Sequence, residues 1–124
     1  MKYFVEGDEV EVKSGTWPKS TNGALKESIR KWEWLVEWLE KNPKENAPFA
    51  SVDSCALCHL FYKVGSNDQA SCDGCPVFEK TRGVECRLTP YISYSTNSGR
   101  YADGRQGVAL AAARKEVEFL KSLL

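Results

Sequence analysis

Two Cys-x2-Cys pairs, Cys55-Ala-Leu-Cys58 and Cys72-Asp-Gly-Cys75, are separated by the stretch from His59 to Ser71. They lie in a region, residues 55–100, rich in Cys, Gly, Pro, Ser and Asn, where no helical or strand period persists. A Cys-x2-Cys turn sets two sulfurs on one side of a tight loop, at two corners of a tetrahedron. Two such turns facing each other make a closed four-cysteine zinc site. Gly74 suits the second turn, because such backbones often need positive φ and a close approach of N–H to sulfur. The expectation is therefore a structural zinc ion on Cys55, Cys58, Cys72 and Cys75, with no open position for water. Binding energy at such a site is folding energy, on the order of 10 kcal/mol, and would order a segment too polar to hold itself.

Alternatives to this ligand set stay open. Cys86 is a fifth candidate and the natural substitute for any of the four. His59 follows Cys58 directly, so its side chain points away from the position that Cys58 serves. An iron–sulfur cluster also takes four cysteines, and Cys75-Pro76 weakly echoes cluster motifs, but the tight spacing of the other ligands is missing. Buried thiols without metal leave the matched pairs unexplained. A disulfide framework does not suit five cysteines, an odd number, in a reducing compartment.

The 124 residues suit one domain, residues 1–124. Lys plus Arg and Asp plus Glu both total 17, so no global positive field draws in a nucleic-acid backbone. No segment approaches a membrane span. Met1-Lys2-Tyr3-Phe4-Val5 runs straight into Glu6, Asp8 and Glu9, unlike a signal peptide. A soluble, cytoplasmic protein is expected.

Tyr3 and Val5, then Val10 and Val12, alternate around Glu6-Gly7-Asp8-Glu9, which predicts a hairpin or an arm over residues 1–16. A helix is predicted over 24–41, capped by Ser20, Thr21 or Asn22 and stopped by Asn42-Pro43. Leu25, Ile29, Trp32, Val36 and Leu39 form its apolar stripe. Trp34 and Trp38 lie off that stripe, one turn apart. Either the cysteine segment covers them or they bind a partner. Short strands are expected around Val77-Phe78 and Tyr91-Ile92-Ser93-Tyr94. A last helix over 105–123 is apolar around half its circumference, so it is largely buried or shared with a second copy, and its leucine-ended terminus is expected to dock. The fold class is α+β: two main helices packed on a loop-rich zinc-knuckle module (55–100), with a short N-terminal hairpin.

Cys55-Ala-Leu-Cys58, Cys72-Asp-Gly-Cys75-Pro76-Val77, Cys86, Thr89-Pro90-Tyr91 and the closing run from Ala113 to Leu124 form a recognisable set. Over residues 24–124 the chain resembles a group of short cysteine-rich proteins encoded by tailed bacteriophages and prophages. The resemblance implies a source, and with it the host cytoplasm, but no mechanism.

Three classes of function compete. The first is a non-enzymatic, zinc-stabilised module that binds a host or phage protein, including as an inhibitor of a bacterial defence system; Trp34 and Trp38 are its candidate anchors. The second is nucleic-acid binding through Arg82, Arg87 and Arg100 with Tyr91 for stacking. The third, an enzyme, finds no support: there is no His-x-Glu arrangement, no phosphate-cradling glycine loop and no nucleophile–base set.

Overall fold

The computed structural model describes residues 1–13, 15–61, 63–64, 70–71, 74–81 and 89–124. Strands β1 (Lys2–Glu6) and β2 (Glu9–Lys13) form an antiparallel hairpin with Tyr3 opposite Val12 and Val5 opposite Val10. Gly7 supplies the positive φ, +64°, that its two-residue turn requires. Helix α1 (Thr21–Lys41) follows. A single 3-10 turn (Val52–Ser54) leads into α2 (Ala56–Phe61), and the two-residue strands β3 (Lys63–Val64) and β4 (Ala70–Ser71) pair antiparallel. Three helices complete the chain: α3 (Pro76–Lys80), α4 (Pro90–Thr96) and α5 (Gln106–Lys121). This is an α+β architecture in a small single domain.

Helix α1 begins where its cap is. The Ser20 side chain accepts a hydrogen bond from the Gly23 amide at 3.0 Å, satisfying one of the donors a helix start leaves open. At the other end the Asn42 amide closes onto the Trp38 carbonyl, and Pro43 prevents continuation. The buried stripe is Ala24, Leu25, Ser28, Ile29, Trp32, Leu35 and Leu39, together with Lys31. Leu35 takes the place expected for Val36, which is only half-buried. Helix α5 packs along both α1 and α4 through Ala109, Ala112, Ala113 and Leu120. Alanines at that contact let helix backbones approach closely. The docked terminus is only partly realised: Leu123 is half-buried, but Leu124 is 63% exposed.

Two expected strands are helices. Val77-Phe78 lies in α3 and Tyr91–Tyr94 in α4. Each helix carries proline at its first turn, where the missing N–H costs nothing and the fixed φ suits the helix. Thr89 adds a cap, accepting from the Tyr91 amide at 3.2 Å. These local signals outweigh the β-propensity of Tyr-Ile-Ser-Tyr. Packing then fixes α4: Trp32 meets Tyr94 edge-on at 4.9 Å and Tyr91 at 6.1 Å.

An extended strap, Ala47-Pro48-Phe49-Ala50, crosses the centre of the fold, and all four of its carbonyls are used. Ala47 accepts from the Gly99 amide (2.7 Å) and Phe49 from the Val10 amide (2.9 Å). Pro48 accepts from the Tyr94 hydroxyl and Ala50 from the Tyr91 hydroxyl (2.7 Å). The Phe49 amide in turn donates to the Asp8 carbonyl (2.8 Å). The strap thus ties the hairpin to α4 through groups that burial would otherwise leave unsatisfied.

Candidate metal centre and its buried charges

Cys55 and Cys75 occupy equivalent places in their local structures. Each immediately precedes a short helix and accepts that helix's first backbone bond: His59 N–H to Cys55 O and Glu79 N–H to Cys75 O, both 2.9 Å. Around Cys55 the arrangement goes further. The Cys58 amide donates to the Cys55 sulfur at 3.1 Å, the same geometry by which an N-cap oxygen receives the third amide of a helix. Sulfur held by backbone N–H in this way is the half-site expected of a Cys-x2-Cys metal knuckle.

The electrostatics favour the thiolate. The Cys55 thiol is lowered to about 6, first by the hydrogen bond from the Cys58 side chain. Burial opposes this; the Lys31 charge and the amides of Cys58 and Leu57 reinforce it.

The second turn lies near the end of α2. Gly74 has φ +87°, as the sequence requires of it, and a Cβ placed on it would stand 3.3 Å from the Phe61 ring at the end of α2. Cys75 beside it is buried. Cys72 and Cys86 lie outside the described residues. Among the described residues no three His, Cys, Asp or Glu side chains converge on one point. The His59 ring is engaged elsewhere, stacked on Trp17 at 4.7 Å with 18° between planes.

Two charged side chains are buried near Cys55. Lys31, on α1, is 2% exposed, and its ammonium lies 5.2 Å from the centroid of the Trp32 ring. Glu116, on α5, is 4% exposed, and its Oε2 has no hydrogen-bond partner among the described residues. Burial raises the Glu116 carboxyl to about 7, against the lowering effects of the Lys31 charge and the Tyr91 backbone; the Cys55 sulfur adds to the rise. Sequence reasoning missed both residues. Only the helical wheel could have pointed to them, since Lys31 sits between Ser28 and Leu35, and Glu116 between Ala113 and Leu120, on buried faces.

The residues considered for partner binding are largely occupied inside the fold. Trp34 packs on the hairpin: its ring lies 5.9 Å from that of Tyr3. Tyr3 itself is fixed through its hydroxyl to Glu27 (3.1 Å). Trp38 is half-buried against the core. Of the residues considered for nucleic acid, Tyr91 is held to the strap, and Arg100 is exposed and paired with Asp8 at 3.1 Å, where each group favours the charged form of the other. Arg82 and Arg87 lie outside the described residues. The large apolar side chains that do face outward include Ile92, Tyr101 and Val108, with Tyr101 86% exposed.

Comparison with protein-family models, curated proteins and solved structures returned no match. Among the described residues no helix is long and apolar enough to cross a membrane.

Proposed function

We propose that this chain is a non-enzymatic, zinc-stabilised binding module of the cytoplasm. The observation that carries the reading is the Cys58 N–H donating to a Cys55 sulfur that already favours its thiolate form. The proposed ligands are Cys55, Cys58, Cys72 and Cys75, with Cys86 the substitute. A closed four-thiolate site organises structure and leaves no coordination position for chemistry. Support for a protein partner comes from Ile92, Tyr101 and Val108, which take over the role first assigned to Trp34 and Trp38. The resemblance to phage cysteine-rich proteins makes a host protein, including a defence enzyme that the chain would inhibit, the partner class to screen first. Tyr91 and Arg100 are engaged within the fold, which weighs against the nucleic-acid reading.

Elemental analysis of untagged protein tests the metal. One zinc per chain is expected, lost in Cys55→Ser, with chelation exposing amides 55–81 to hydrogen exchange. Iron with matching sulfide would move the site to electron transfer. Protein that holds no metal and keeps its fold would sink the reading.

A further inference from the structure

Backbone groups along the edge of a sheet pair either with water or with another strand. The hairpin has an edge on each side, and the two differ. On the β2 side the strap fills it: the Val10 amide donates to the Phe49 carbonyl at 2.9 Å. That bond also fixes the pleat. Val10 points its N–H away from β1, so Val10 and Val5 opposite it form a pair without mutual hydrogen bonds, and Tyr3 with Val12 forms the next. Val5 and Tyr3 therefore turn their N–H and C=O outward on the β1 side. Among the described residues no backbone group meets them there. The side chains that alternate with them, Lys2, Phe4 and Glu6, are exposed.

The hairpin also pairs its own charges badly. Lys2 stands opposite Lys13, and Glu6 opposite Glu9. Like charges directly opposite one another destabilise a ladder. The result is an edge strand positive at its start and negative at its end. Reversed and laid against itself, such a strand is complementary.

We infer that β1 is a self-association edge, and that its occupant is β1 of a second copy of this chain, antiparallel about a twofold axis at Phe4. The pleat allows only registers that set outward-turned residues opposite each other, and the one centred on Phe4 overlaps all five residues of the strand. Tyr3 then exchanges two backbone hydrogen bonds with Val5 of the second copy, and Val5 two more with its Tyr3. Lys2 faces Glu6 of the other copy at both ends. Between them the two Phe4 side chains meet in the closely spaced pair that makes no hydrogen bonds. The hairpins join into one four-stranded sheet, and the open edge is closed. A single short strand pair falls below the roughly 800 Å² per partner of a stable interface, so the dimer is weak and exchanges with monomer.

Sedimentation equilibrium of the full-length protein over a concentration series tests this, with hydrogen exchange of the Tyr3 and Val5 amides alongside. Reversible monomer–dimer association is expected, with protection of those two amides rising as concentration rises. Lys2→Glu should weaken association about tenfold, because both flanking pairs turn from attraction to repulsion, and Glu6→Lys should do the same. Each substitution relieves a like-charge pair inside the hairpin, so neither should harm the fold. An equimolar mixture of the two variants regains opposite charges at both ends and is expected to associate as the parent does. A parent that stays monomeric throughout would overturn the inference. So would single variants that dimerise like the parent, which would place the contact elsewhere, α5 included. Amides protected equally at every concentration would overturn it too, by showing that another part of the chain already occupies the edge.

Discussion

Helix α1 runs for 21 residues and buries eight of them, whereas α2 and α3 together bury Ala56, Leu57 and Val77. The helical half, α1 with α4 and α5, has a core of Trp32, Leu35, Tyr94, Ala113 and Leu120 that apolar burial can hold. Among the described residues, the cysteine half has two helices of six and five residues and a pair of two-residue strands. Isolated helices of such length are not stable in water, and neither is a two-residue ladder. The contrast teaches where a metal would matter most: one half is built by packing, and the described part of the other buries few apolar side chains. The charged residues Lys31 and Glu116 mark the seam, one on each main helix.

The contrast can be broken by attacking the packed half. Leu35 is fully buried, so Leu35→Ala should cost about 2–5 kcal/mol in a denaturant melt, by lost transfer energy plus the cavity left behind. Zinc stoichiometry should survive among the molecules that remain folded. If the metal is lost in proportion to a much smaller destabilisation, the two halves are not separately supported.

The seam gives a second test through pH. The folded-state pKa of Glu116, about 7, lies above its ordinary value of 4.5. Between those values the folded chain keeps a proton that the unfolded chain has shed, so stability falls as pH rises through that window. The full loss is on the order of 3 kcal/mol, and it is complete above about pH 7. Glu116→Gln should abolish it. The measurement is the stability gap between the variant and the parent, which should widen in the variant's favour from pH 5 to pH 7.5. A gap that stays constant would mean that Glu116 is charged, and compensated, throughout.

A smaller effect sharpens the contrast from the outer end of α1. Ser20→Ala removes the cap on Gly23 and should cost about 1 kcal/mol, read from the shift in the urea midpoint at unchanged slope. Because the cap belongs to the packed half, hydrogen exchange near Cys55 should rise no more than global unfolding requires.

The sequence made the elements of the packed half legible because each carries several agreeing signals. Hairpin, cap, stripe and proline stop all point the same way for residues 1–43, and the structure follows them to within a few residues. The charges on the stripe were not legible. A lysine or glutamate on a helix is ordinarily solvated, and nothing in one sequence says which turn of α5 faces α1. The helices at Pro76 and Pro90 were missed for a different reason. Their aromatic and β-branched residues suggested strands, although Thr89-Pro90 is a helix-start signal in its own right. Trp34 was recognised as needing cover, but the covering element, Tyr3 on the hairpin, is set by long-range packing that no local pattern records.

The strap at Ala47–Ala50 has a consequence for how the chain is made. Its four carbonyls wait for donors from both directions: Val10 is already synthesised, while Tyr91, Tyr94 and Gly99 come later. At ~5–20 residues per second on a ribosome, the strap stays hydrated for several seconds after it emerges. During that interval the hairpin and α1 have no α4 or α5 to close over Trp32. The order of synthesis therefore imposes a pause in which the first half of the protein is exposed, and completion of the second half fastens both at once.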